Sequence, residues 1–219
     1  MLRAQGTKVV DGKGNVVLLR GVNLGGWLVE EMWMMPFVTK SEAGAEGEAV
    51  EEVKDHVSLW RVIEGRLGKE AAVRVRTSLR NAWLNEGDFD RIKAAGLNCV
   101  RLPFLSSLME EPGGVEWLDK AIGWAEKRGI YVILDMHGAP GCQSVDHHSG
   151  ETGRNEFFKN SENVEKAAAV WKLLAARYKG RAAVAGYDLL NEPMGAPNPA
   201  NCPCLSTRPG SRMTWGIPV

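Results

Sequence analysis

The residues best placed to do chemistry are Asn191-Glu192-Pro193, which directly follow the apolar run Tyr187-Asp188-Leu189-Leu190. If that run is a strand of a parallel sheet, groups just past its C-terminal end sit where ligands bind. A carboxylate there, with an amide before it and a stiff proline after it, suits acid–base work. The plainer alternative is a helix-start glutamate with Pro193 at the first helical position. Strict alternation puts Asn191 and Glu192 on opposite faces, so both reach one site only if the strand end twists or bulges. Asp135-Met136-His137-Gly138 closes the apolar run from Tyr131 in the same manner. Asp135 and His137 are two apart and share a face, either as a satisfied structural pair or at the same mouth as Glu192. Arg101 stands inside the run Asn98-Cys99-Val100-Arg101-Leu102, where an arginine must meet a carboxylate or face a polar cavity. Near the start, Gly25-Gly26-Trp27 and Glu30-Glu31 follow another apolar stretch. Glu31 could reach the mouth, and Trp27 or Trp33 could form a stacking wall; the alternative is a capping loop with solvated acids. His147-His148 lies in a polar loop and reads as a solvent-exposed pair, because adjacent histidines cannot easily share one metal.

These groups need a framework, and the chain supplies a rhythm. Val9-Val10 and Val16–Leu19 flank Asp11-Gly12-Lys13-Gly14, predicting a hairpin over residues 8–20 whose second arm ends at the glycines near Trp27. Val50, Val53, Val57, Trp60 and Ile63 fall at helical spacing, as do Ala72, Val75, Leu79 and Trp83, with Gly68 between the two sets. From Asp88 the pattern alternates: helix to Ala95, strand 98–102, helix about 115–127, strand 131–135, helix 161–178, strand 184–190. Strands alternating with helices through short loops predict right-handed βαβ units and a parallel sheet. Four strand ends then carry polar residues, Asn23, Arg101, His137 and Asn191 with Glu192. That is the layout of the ligand-binding face of a (β/α)8 barrel.

Composition narrows the classes. The 219 residues carry 27 basic and 27 acidic side chains, a net charge of zero, which leaves no electrostatic footprint for nucleic acid or an anionic membrane. No apolar run approaches the ~20 residues of a membrane span, and the first residues lack the apolar stretch of a secretory signal. The expectation is a cytoplasmic chain or a missing N-terminus. Four cysteines are too few for a disulfide scaffold, and Cys202 and Cys204 are too close for a zinc ribbon. There is no Gly-x-Gly-x-x-Gly, phosphate loop, Gly-x-Ser-x-Gly or His-Glu-x-x-His, so nucleotide cofactors and serine or zincin hydrolysis lose support. Eight tryptophans suit sugar stacking and cores equally well.

In order and spacing, Gly21–Val29, Val100-Arg101-Leu102-Pro103-Phe104, Leu134–Gly141 and Leu189–Pro193 resemble the N-terminal half of glycoside hydrolase family 5, the cellulase A family. Within it the chain is most similar to the exo-β-1,3-glucanase group, over roughly residues 6–197. The resemblance implies a (β/α)8 barrel, a retaining glycosidase acting on a β-glucan or glucoside, and no metal or cofactor. It implies Glu192 as general acid/base, Asn191 holding the sugar 2-hydroxyl, Arg101 and His137 in the active site, and Glu31 as a sugar contact. Members are often secreted, so the compartment is left open. Two departures edge the cleft: the group usually has Leu-Glu-Pro-Trp where this chain has Glu30-Glu31-Met32-Trp33, and often Asp-Asn at His147-His148.

Retaining hydrolysis needs two carboxylates ~5–5.5 Å apart. The family's nucleophile follows the seventh strand, whereas the strands expected here begin near residues 17, 98, 131 and 184. A whole barrel takes ~250 residues, so the expectation is residues 1–197 as a barrel truncated to about four strands, with no nucleophile and no activity of its own. Residues 198–219 read as an irregular, possibly frameshifted tail; residues 195–219 hold five of the ten prolines and two of the four cysteines. Two other readings stand beside this one. A non-catalytic carbohydrate-binding fragment would bind sugar without turnover. A metal-dependent hydrolase built on Asp135, His137, His147 and His148 would lose activity to a chelator.

Overall fold

A computed structural model describes residues 2–36 and 52–194. Residues 198–219, and Val50 of the first expected helix, lie outside them. Two short strands, β1 (Arg3–Gln5) and β2 (Lys8–Val10), form a small antiparallel sheet. The turn expected after Val10 is present: Asp11 accepts from the amides of Lys13 (2.8 Å) and Asn15 (2.9 Å). Its second arm is not a full strand. Only Val10 bridges Val16, and Val17 N donates to Val9 O. The Asn98 side chain takes the segment instead, accepting from Arg20 N (2.7 Å) and donating to Leu18 O (2.9 Å). This clasp delivers the chain to β3 (Gly21–Asn23), later than the expected start near residue 17. Gly21 runs so close to β4 (Cys99–Leu105) that a Cβ would stand 2.2 Å from the Cys99 carbonyl oxygen.

The main sheet runs β3–β4–β5–β6, with β5 at Tyr131–Gly138 and β6 at Val184–Asp188. All three pairings are parallel and neighbours follow chain order, as the alternating pattern predicts. Helices α1 (His56–Leu67), α2 (Lys69–Trp83), α3 (Glu86–Ala94), α4 (Gly114–Arg128) and α5 (Ser161–Arg177) make the connections. Their starts follow local chemistry. Asp55 with Ser58, and Asn85 with Asp88, form capping boxes that satisfy the free amides of the first turns.

One face of the sheet is apolar. Val100, Leu102, Phe104, Val132, Leu134 and Met136 are all fully buried, as are Leu118, Ala121, Ile122 and Ala125 of α4 and Leu174 of α5. Alternation sends the intervening residues, among them Arg101, Asp135 and His137, to the other face. Two periods, 2 on the strands and 3.6 on α4, thus build one core and leave a polar face whose end carries the site. Among the described helices none is long and apolar enough to cross a membrane.

Candidate active site

The site forms at the C-terminal ends of β4, β5 and β6. Arg101 Nη2 reaches Asp135 Oδ2 (3.1 Å), Asp188 Oδ2 (2.9 Å) and Asn191 Oδ1 (2.8 Å). Its Nε also donates to Asp188 (3.1 Å). The strand arginine therefore meets the carboxylates that burial demands. Asp188 escaped the sequence reading although it stands in the apolar run that leads to Glu192; the need of Arg101 for a partner was the signal for it.

Asp135 Oδ2 also lies 2.7 Å from His137 Nδ1. Burial acts most strongly on Asp135 and pushes its carboxyl above the usual range, against the pull of His137 and Arg101. His137 Nδ1 faces Asp135, and its Nε2 faces the Asn191 amide: Asn191 Nδ2 lies 3.4 Å away, while Asn191 Oδ1 takes the arginine. Both ends of the Asn191 amide are thus assigned by its partners.

The conflict over Asn191 and Glu192 is resolved by the backbone. The strand ends at Asp188, and Glu192 adopts a positive φ of 37°, so the pleat no longer governs where its side chain goes. Asn191 is buried, its amide bonded to Met136 O, while the Glu192 side chain is 69% exposed at the mouth. A non-glycine residue in this region carries strain, a feature that clusters at functional sites.

Glu31 also reaches the mouth. Its Oε1 accepts from Trp33 Nε1 (3.2 Å) and lies 3.4 Å from His147 Nε2; its Oε2 lies 3.8 Å from His137 Nε2. Glu30, beside it in sequence, does not: it is fully buried against His56 and Trp60, whose Nε1 donates at 3.1 Å.

Two expectations need correction. Trp27 is not a stacking wall. It is 1% exposed, packed against Trp117 and Trp124, with its N–H on the Arg80 carbonyl (2.8 Å). The exposed indole is Trp33. Nor are the two histidines an exposed pair: His148 is 7% exposed and faces Glu192, whereas His147 turns toward Glu31.

Gln143 was not singled out from sequence, and a glutamine in a polar loop gives no signal for its role. It is fully buried, and its Nε2 donates to the carbonyls of His137 and Asn191, both at 2.7 Å. Its Oε1 accepts from Ala139 N at 2.9 Å. One amide therefore locks the ends of β5 and β6 together. Gly138 permits the loop to fold over them, since a Cβ there would lie 2.4 Å from the Ser149 carbonyl oxygen.

The sequence model of Cellulase (glycosyl hydrolase family 5) matches residues 68–212, more than half of the chain. The chain belongs to glycoside hydrolase family 5. A relative named "Probable glucan 1,3-beta-glucosidase A", from Neosartorya fischeri, is 37% identical over 184 residues, covering 80% of this chain and 41% of the relative. A "Beta-xylosidase" from Phanerodontia chrysosporium is 34% identical over 201 residues, covering 88% and 39%. The chain thus spans less than half the length of these relatives. Rutinosidase from Aspergillus niger superposes with a TM-score of 0.62 at 19% identity, over 80% of this chain and 49% of that one. That likeness shows the fold: the four-stranded parallel sheet corresponds to part of a (β/α)8 barrel.

Proposed function

We propose that this chain carries the acid/base half of a retaining β-glucan hydrolase, with β-1,3-glucan as its substrate. The observation that supports it most is the carboxyl of Glu192, exposed at the mouth beside a buried polar network that fixes the preceding residue. Glu192 would protonate the glycosidic oxygen as it leaves, while a second carboxylate attacks the anomeric carbon. It would then take a proton from the water that releases the sugar. Asn191, its amide aligned by Arg101 and His137, would hold the 2-hydroxyl. Glu31 would bind a further hydroxyl, with Trp33 offering the aromatic face at the rim.

The nucleophile is assigned to a strand beyond these four. Among the described strand-end acids, Asp135 and Asp188 are bound to Arg101, and Glu31 is held by Trp33. No step calls on a metal or cofactor. The relatives' names favour a β-1,3-glucoside, and the β-xylosidase makes a β-xyloside the competing substrate.

The test is Glu192→Gln in the intact protein, assayed on laminarin-type glucan and on activated aryl β-glucosides and β-xylosides. The glucan rate should fall ~10²–10⁴-fold, with the aryl glucoside less affected in the first step. A near-normal glucan rate would remove Glu192 from the mechanism. Sugar binding without turnover in the unsubstituted protein would support the carbohydrate-binding reading instead.

A further inference from the structure

His148 sits in the turn His147–Ser149 after β5, with Nδ1 3.5 Å from Glu192 Oε2. That is longer than the ~2.7–3.2 Å of a formed N–H···O hydrogen bond, and catalytic contacts commonly start long and tighten around substrate. The loop holds the ring in place without help from Glu192. Ser149 Oγ shares its one proton between the carbonyls of Ser144 (2.8 Å) and Asp146 (2.9 Å), and Gln143 fastens the loop to both strand ends.

The other ring nitrogen, Nε2, is buried with no hydrogen-bond partner among the described residues. A buried N–H without an acceptor is rarer than a buried acceptor without a donor. The single proton of a neutral ring therefore belongs on Nδ1, where a carboxylate oxygen faces it. Burial acts first to hold His148 below the usual histidine range, and the nearby His137 and His147 add to this against Glu192 and Asp146. The ring is a neutral donor.

We propose that His148 is the positioning residue of the acid/base: its Nδ1–H holds Glu192 Oε2 through both steps and reserves Oε1 for the proton that Glu192 gives and takes back. A neutral donor suits both states. It bonds the carbonyl oxygen of the acid and an oxygen of the carboxylate alike, so Glu192 does not turn between steps. The ring itself gains and loses no proton. This inference rests on the reading of Glu192 as the acid/base.

The experiment compares His148→Phe and His148→Asn with Glu192→Gln in the intact protein. It reads kcat/KM on glucan and on an aryl β-glucoside whose leaving group needs no protonation. Phenylalanine keeps the ring and removes the donor; the asparagine amide restores a donor near the Nδ1 position. His148→Phe should lose about 10²-fold on glucan, the scale of misplacing a reacting group, and under about threefold on the activated glucoside. His148→Asn should recover most of that loss. Equal losses on both substrates, or no recovery with asparagine, while Glu192→Gln still discriminates between them, would overturn the His148 assignment alone. If Glu192→Gln does not discriminate, the acid/base reading falls and the assignment falls with it.

Discussion

Trp27 and Trp33 show how little a residue's type says about its task. Both are indoles in one loop, six positions apart, yet one is 1% exposed and the other 73%. Trp27 packs edge-on to Trp117 with ring centroids 6.0 Å apart. Removing a buried tryptophan costs ~3–5 kcal/mol, so Trp27→Ala should lower the urea midpoint sharply. Trp33→Ala should change stability by less than ~0.5 kcal/mol and instead raise KM for glucan. A Trp27→Ala protein of unchanged midpoint would refute the core assignment. The aromatic count held no means of telling the two apart, since indoles serve cores and sugar faces equally. Arg101 was more legible, because a charged residue within an apolar strand leaves few physical options.

The elements from Asp88 onward were read closely because helix and strand periods alternate there without interruption. Expected helices at 88–95, 115–127 and 161–178 stand at Glu86–Ala94, Gly114–Arg128 and Ser161–Arg177. The approach to β3 was less legible, since the Asn98 side chain that diverts it comes from far along the chain. The placement of the His148 loop was hidden for the same reason, since Gln143 within it donates to the carbonyl of Asn191, 48 residues further on. Helix α1 carries a pH dependence of its own. Burial acts first to raise the Asp55 carboxyl, but amide bonds from Ser58 (2.8 Å) and Thr152 (2.7 Å) outweigh it and hold the pKa below the ordinary value. A carboxylate depressed by folding adds stability above its unfolded pKa, about 3.9. That stability is lost as pH falls through the lower folded value. Urea midpoints should therefore fall on acidification from pH 6 to pH 3, and Asp55→Asn should flatten that slope while costing about 1 kcal/mol at pH 6. An unchanged slope in the variant would exclude Asp55 as a source.

Across the whole molecule, chain order and spatial order coincide, and this is what gathers a site from distant sequence. Parallel strands laid down one after another bring Arg101, His137 and Asn191 to the same end, each from its own βαβ unit. The opposite face is closed by α4 and α5, so the polar end rests on a packed layer rather than on loops alone. Family membership and barrel topology follow from that order, while the rim depends on side chains that cross between units. Gln143 is the clearest of these, and its effect extends beyond geometry to time. A surface loop ordinarily exchanges its amide hydrogens with solvent fast, through small local openings. Here the Ala139 amide is bonded to the Gln143 side chain and the Met194 amide to the Gln143 carbonyl, while Nε2 of the same residue grips both strand ends. These amides can open only when the grip on the sheet is released. In deuterium exchange Ala139 and Met194 should follow the slow sheet amides, and Gln143→Ala should speed both by about 10–100-fold while Leu134 keeps its rate. The loop that bears His148 would then keep the clock of the barrel wall, and fast exchange at Ala139 in the unsubstituted protein would show that it does not.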